Sequence, residues 1–489
     1  MRHIFGQIER HSVFGDLRPG QRVALALALV DTIAALVSGQ SILHLALAGA
    51  CAAGGAWVAF GRVRGLAPAD WVGALSGHGA QAVSGRLGYE SPAPGAGIVL
   101  PRARDRRMVV PEALPPELGD IAILEAPAPA GGVLGVAKDR RADTYTGAVL
   151  TRAPAFGLIG SDGQDVLQSD FADALGMLAR EDGLVRRVGW VDSTLPVYGD
   201  EIAGWFEQHR DRSLSLASPA MRSMMQLTDS ALTVGQEHQI LACLQLSGRR
   251  ARRQGRQLGG GEDGALALVG RELDDFATAL DEAGVIVEGA LTPGLYRAAI
   301  RNAYDPFTRS HRADGELDGQ PWPIMTRTEI ARYWTDGAVH ATYWVAGLPR
   351  VPVHAAFLQP LLAETQMVRS VAVVMEPVAP SRAIRDAEVA RAKDESDVIT
   401  RERYGQLDTA RQSQRRQAIE RREEELAAGH VDYRHAMSIT VSARDRDELE
   451  RSCADLERAA GRCRLSLQRR YGQQATAFSF TLPLCRGLK

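Results

Sequence analysis

Between Val23 and Phe60 the chain runs for 38 residues with one formal charge, Asp31, and one histidine, His44. A helix rises ~1.5 Å per residue and a bilayer's hydrocarbon layer is ~30 Å thick, so ~20 apolar residues make one crossing. The run breaks at Ser38-Gly39-Gln40-Ser41 into two segments, Val23–Val37 and Ile42–Phe60. The pattern predicts a two-helix transmembrane hairpin over residues 22–62. Arg18, Arg22, Arg62 and Arg64 flank its outer ends and the turn carries no arginine, an asymmetry that places both termini in the cytoplasm, under the inner membrane. Asp31 would sit near mid-depth, where a carboxylate needs a partner, and Gly49 and Ala53 are spaced for close helix approach. These three are the candidate intramembrane packing residues. Leu47-Ala48-Gly49-Ala50-Cys51 resembles a lipoprotein cleavage site but lies inside the second apolar segment, which argues against cleavage.

Beyond the hairpin the periodicity changes. Leu66 to Gly88 reads as a juxtamembrane helix, and Ser91 to Pro116, rich in proline and glycine, as a linker or extended arm. Ile121–Ala126, Val133–Ala137, Thr144–Thr151 and Leu184–Val191 read as strands, with an amphipathic helix at Gln164–Arg180. Gln239–Leu246, Gly264–Ala283 and Val285–Leu291 then read as strand, helix and strand. Ala436–Ser442 begins a similar plan: a helix opened by Asp445 and Glu448, buried through Leu449, Cys453, Leu456 and Ala460, then strands at Arg464–Arg469 and Thr476–Leu482. Between these units, Ser381–Gly429 has helical propensity, 11 basic and 11 acidic residues and no sustained heptad seam.

The expected fold is therefore α+β: the transmembrane hairpin, then a cytoplasmic body of duplicated ferredoxin-like β-α-β units with a long charged helical insertion. Its divisions are a lead at 1–21, the hairpin at 22–62, the juxtamembrane helix and linker at 63–117, and a first α+β region at 118–310. A second unit, 311–380 and 430–489, is split by the insertion at 381–429.

A length of 489 residues suits several domains, and 45% hydrophobic with 24% charged residues excludes a disordered or collagen-like chain. A formal charge of −2 removes any bulk electrostatic case for nucleic acid. The five cysteines are odd in number and widely spaced, which suits a reduced body better than a disulfide framework.

No P-loop, HExxH, GxSxG or metal-spaced Cys/His set occurs, so no catalytic, cofactor-binding or metal residue is expected and no cofactor is implied. The glycines of Gly259-Gly260-Gly261-Glu262-Asp263-Gly264 fit GxGxxG, but they stand a dozen residues after the preceding strand, too far for a dinucleotide fold. Within those residues Arg249, Arg250, Arg252, Arg253 and Arg256 form a basic cluster. It is a candidate contact for phosphate or an acidic partner; without interleaved aromatics it does not read a nucleic-acid sequence.

Several short motifs, in order, resemble an actinobacterial family of conjugative-transfer membrane proteins. They are Gly65-Leu66 through Asp70-Trp71, Leu124-Glu125-Ala126-Pro127, Gly132 with Leu134-Gly135-Val136, Thr144-Tyr145-Thr146, Tyr304-Asp305-Pro306, Leu358-Gln359-Pro360-Leu361-Leu362, Glu376-Pro377, and Leu482-Pro483-Leu484 with Gly487. That family joins a hairpin similar to the small PrgI-like component of type IV secretion to a body resembling the amino-terminal region of the large secretion ATPase. In those ATPases a Leu-Pro-Leu-like element precedes the nucleotide-binding domain, and the present sequence stops at it, so no catalytic residue carries over. The resemblance implies a non-enzymatic, membrane-anchored docking component. Its implied partners are a separate P-loop secretion ATPase, other inner-membrane secretion subunits and the lipid bilayer, with a homo-oligomer as a further option. Two alternatives share the layout: a type VII (ESX, EccE-like) component, and a membrane-bound enzyme whose arginines hold a phosphorylated substrate.

Overall fold

A computed structural model describes residues 19–38, 42–62, 68–91, 114–152, 156–181, 183–196, 206, 209–213, 215, 217–231, 236–308, 317, 319–349, 351–363, 367–403 and 410–488. The expected linker at Ser91–Pro116 falls largely outside them.

In chain order, α1 (Pro19–Ser38), α2 (Ile42–Phe60) and α3 (Pro68–Val83) lead to β1 (Gly88–Glu90). Then come β2 (Ile121–Pro127), β3 (Val133–Asp139), β4 (Thr144–Arg152), α4 (Ser161–Gly176), β5 (Val185–Pro196), α5 (Pro219–Ala231) and β6 (Gln236–Ser247). They are followed by α6 (Gly248–Gln254), α7 (Gly261–Glu282), β7 (Ile286–Ala290) and α8 (Pro293–Tyr304). The remainder is β8 (Met325–Thr328), β9 (Tyr333–Trp334), β10 (Val339–Gly347), α9 (Gln359–Leu362), β11 (Arg369–Pro377), α10 (Pro380–Arg403), α11 (Ala410–Ala427), β12 (Tyr433–Ala443), α12 (Arg446–Arg462), β13 (Ser466–Arg469) and α13 (Gln474–Phe478).

All 13 strands belong to one sheet, ordered β1-β8-β9-β10-β12-β11-β5-β6-β4-β3-β2, with β13 also on β10 and β7 also on β4. Every pairing is antiparallel. Two runs within it follow one plan. β4-α4-β5 and β6-α7-β7 place their strands as β7-β4-β6-β5; β10-α9-β11 and β12-α12-β13 place theirs as β13-β10-β12-β11. The halves join through β5 and β11, in register from Val188↔Met375 to Arg369↔Thr194. Antiparallel joining of equivalent strands relates the halves by an approximate two-fold axis normal to the sheet.

Strand side chains alternate between faces, and both faces are covered. In β6, Ala242, Leu244 and Leu246 meet Leu266, Val269, Leu273 and Phe276 of α7. Leu241 and Cys243 point the other way, toward Tyr296 and Ile300 of α8 and toward Phe478, Leu482, Leu484 and Cys485. The second half repeats the first face, with Leu449, Cys453, Leu456 and Ala460 of α12 against Val339, Ile439 and Val441. Each large aliphatic or aromatic side chain so buried contributes ~1.5–3 kcal/mol. Local chemistry sets the helix starts. Thr292 caps α8 by accepting from the Leu295 amide at 3.2 Å, with Pro293 at the first position, and Asp445 caps α12 by accepting from Asp447 N and Glu448 N, both at 2.8 Å.

Residues 479–488 cross from the second half onto the first. Gln245 Nε2 donates to Leu484 O at 3.1 Å, Arg187 donates to the carbonyls of Cys485 and Leu488, and Tyr296 donates its hydroxyl to Pro483 O. Arg486 reaches the carbonyls of Glu117 and Leu118 and the carboxylate of Asp139.

Three expectations are corrected. α1 and α2 lie against each other, with Gln21 Nε2 donating to Ala59 O at 2.7 Å, but among the described residues no helix is long and apolar enough to cross a membrane. α1 is interrupted by Asp31 and Thr32 and begins with Gln21 and Arg22 in its first turn. More than half of α2 is alanine or glycine, which offers little apolar area to hydrocarbon. The transmembrane hairpin, the two-span inner-membrane placement and the anchoring of the body to a lipid bilayer are therefore overturned. The body is one continuous antiparallel sheet, not a set of separate units, because β5 and β11 hydrogen-bond edge to edge. Thr476–Leu482 is not a strand but α13 followed by a 3-10 turn. There the Gln474 side chain takes the neighbour's role: it accepts from Thr342 N at 2.8 Å and donates to Thr342 O at 3.3 Å, satisfying the edge of β10 beyond β13.

Candidate functional site

The arginine cluster is a short helix, α6, with a 3-10 turn at Gly255–Leu258, packed against the β3–β4 turn. Gly248 allows that contact, since a Cβ there would overlap the Asp143 carboxylate. Arg252 grips Asp143 through two parallel hydrogen bonds of 2.8 Å, and this fork holds the Asp143 carboxyl below its ordinary range. Arg250 donates to Gly183 O. Arg249 senses the Asp143 charge at longer range. Arg253 and Arg256 have no partner among the described residues, and both, like Arg249, are exposed. Of the five arginines, two are therefore structural and three present charge to solvent.

The glycines after α6 serve backbone geometry. Gly259, Gly260 and Gly261 have φ of 116°, 73° and 61°, the left-handed region that favours glycine. Gly264 and Gly255 meet backbone to backbone, so a Cβ on either would overlap the other's carbonyl oxygen. Glu262, in the first turn of α7, is paired with Lys138, which sets a carboxylate where a pyrophosphate would bind. A dinucleotide role does not fit these residues.

Asp31, Gly49 and Ala53 lie on exposed positions of the α1–α2 pair, and nothing stands within 4 Å of a Cβ added at Gly49. Among the described side chains there, Ala35, Ala48 and Ala59 are buried. No shared buried site unites the three.

The charged insertion forms an antiparallel pair of helices. α10 and α11 rise from between the neighbouring strands β11 and β12, and their root is held where Glu181 accepts from the amide and hydroxyl of Ser381. Arg391 bridges to Glu423 at 3.1 Å and Arg416 to Asp394 at 3.5 Å. Between the helices runs a crevice of about 640 Å³, with Val398, Ile399 and Ile419 among carboxylates. Its ten lining residues include five acidic and two basic side chains. Glu420 and Glu424 have no partner among the described residues. Ile399 is 59% exposed, with Ile384 at 48% and Val389 at 67% on the same helix.

A second groove, about 740 Å³, lies between α3 and the β8–β9 turn and is lined by Trp71, His78, Arg327, Arg332, Arg446 and Tyr471 among others. Trp71 and Tyr471 stack with ring centroids 4.7 Å apart. Arg332 is committed to Glu329 and Glu450, at 3.1 and 3.0 Å.

Deeper in the core, Tyr333 donates its hydroxyl to Glu117, and burial pushes the Glu117 carboxyl up against that bond. Tyr304 Oη, Trp322 Nε1 and Asp305 Oδ1 are buried without protein partners among the described residues. Tyr304, Asp305, Trp322 and Tyr333 come from one stretch of the chain, but Glu117 stands 216 residues before Tyr333, and nothing local in the sequence signals that pairing. Among the described residues, no group of three or more His, Cys, Asp or Glu side chains could hold a metal ion, and the five cysteines are free thiols.

No protein-family model matches the chain, and no curated protein is similar to it.

Proposed function

We propose that this chain is a non-enzymatic docking component of a conjugative, type IV secretion-like apparatus, working beside a separate P-loop ATPase. One observation supports the reading from the structural side: the α10–α11 pair, inserted between adjacent strands and carrying exposed Ile384 and Val389. A 24-residue helix extends ~36 Å, enough to stand well clear of a sheet. Apolar area left exposed on a charged helix gains nothing within its own chain and is stabilised when a partner covers it. The ordered motifs that resemble the conjugative-transfer family are what point this reading to such an apparatus and its ATPase.

The test is co-purification from a host carrying the whole transfer system. The expected result is a complex with a P-loop ATPase that is lost when Ile384 and Val389, both outside the crevice between the helices, are replaced by aspartate, while the isolated chain turns over no nucleotide. Robust ATP hydrolysis by the isolated chain, or a complex indifferent to the double variant, would overturn the reading.

A further inference from the structure

α6 and the crevice of the helical arm stand at the same end of the sheet. β6 runs into α6 and β11 runs into α10, and β5 lies between those two strands with its first residues beside both ends. Glu181 and Gly183 tie them together: Gly183 O accepts from Arg250, and Glu181 accepts from Ser381. The crevice residues 391–399 lie roughly 15–30 Å further along α10 than that root. A chain's own α6 therefore stays at the foot of its arm, below the crevice.

The two surfaces complement each other. α6 presents Arg249 and Arg253 one turn apart, and the 3-10 turn after it adds Arg256 and Leu258, which is 43% exposed. The crevice presents Glu420 and Glu424 one turn apart on α11, beside Ile399. Each pair spans about 6 Å along its helix, so two arginine–glutamate contacts form together while Leu258 approaches Ile399. The crevice lining carries a charge of −3 from five carboxylates and two arginines, and the exposed α6 arginines supply +3.

We propose that the arm crevice is the docking site for α6 of a second copy of this chain, forming a reciprocal two-fold dimer. Both surfaces lie at one end of the sheet, so when an arm covers the partner's α6, the partner's arm covers its own α6. The same contact is made twice and the assembly closes. Charge carries much of it, so association weakens as salt rises and the Debye length shrinks. Dimerisation needs no other protein, so it stands or falls apart from the reading of a separate ATPase.

The test is sedimentation of the purified full chain, up to about 100 µM, at low and high salt. The expected result is a monomer–dimer equilibrium weakened at least tenfold by raised salt, by R249E/R253E or by E420R/E424R. Mixing the two variants restores the dimer, because each mismatched contact then becomes a matched one, and so does combining all four substitutions in one chain. All four positions are exposed, and circular dichroism checks that each variant folds. A chain monomeric throughout, a dimer insensitive to both reversals, or a mixture that fails to reassociate would overturn the proposal.

Discussion

Replacing His340 by glutamine removes a fully buried imidazole from β10. Its Nε2 lies 3.2 Å from Tyr304 O, an oxygen that can only accept, so Nε2 carries the hydrogen. Nδ1 then accepts from the Ser442 hydroxyl at 2.8 Å, and Thr335 Oγ1 stands 2.9 Å from Nε2. Desolvation by burial drives the imidazole pKa from 6.5 down to about 3, and the hydrogen bond to Tyr304 O offsets only part of that. Between those two values the unfolded chain takes up a proton that the folded chain refuses. Stability from this group is therefore full above pH 6.5 and falls as the pH drops toward 3, by about 1.4 kcal/mol per unit. From pH 8 to pH 5 the loss is about 2 kcal/mol. Glutamine cannot titrate.

Urea unfolding of both proteins from pH 5 to pH 8 isolates the effect as the difference between their two stability curves. Glu117, whose raised pKa favours the folded state at acid pH and loses that contribution as pH rises, is common to both proteins and cancels. The wild type should lose about 2 kcal/mol relative to the variant between pH 8 and pH 5, and the difference should be nearly flat above pH 7. Parallel curves would mean that His340 is reached by water or already charged, and would refute the buried, neutral assignment.

Other positions give independent checks. Arg369, whose side chain is fully buried, donates to Leu361 O, Leu362 O and Thr194 Oγ1 and lies 3.5 Å from Asp192; Arg369→Met should cost about 3–5 kcal/mol in urea unfolding, since it leaves two carbonyls without their donor and Asp192 with His238 alone. Gln474→Leu should cost about 1–3 kcal/mol and raise hydrogen exchange at the Thr342 amide, which loses the acceptor Gln474 Oε1; unchanged protection there would refute the side-chain edge pairing. Gly264→Ala should lower stability by about 1–3 kcal/mol through overlap with Gly255, measured by thermal unfolding, with no dependence on added nucleotide.

Much of the sheet is legible in the sequence because its central strands and covering helices follow simple periods. The stripe Leu266, Val269, Leu273, Phe276 and Leu280 defines α7, although the helix starts three residues before the spacing indicates, where Gly260 turns the backbone. What periodicity misreads is what depends on distant partners. Thr476–Leu482 alternates like a strand, yet Gln474 fills the place such a strand would take on β10. The apolar run at 23–60 is visible, but its length and hydropathy alone gave a membrane hairpin, while alanine, glycine and Asp31 dilute what each helix offers to lipid. Five arginines within eight residues are obvious; that one of them is taken by Asp143, 109 residues earlier, is not. The joining of β5 to β11 leaves no local mark either, because equivalent strands can pair within a chain or stay apart with the same alternation.

The segment at 479–488 sets a timetable for synthesis. Gln245 waits for a carbonyl made 239 residues later, and Arg187 for one made 301 residues later. At roughly 5–20 residues per second, the first half spends on the order of 10–60 s on the ribosome with Cys243 and Tyr296 uncovered. A nascent chain in that interval shows chaperones an apolar face that the finished protein hides. A product cut short before Leu482 would keep that face exposed for good, which gives the cell a direct means of telling incomplete copies from complete ones.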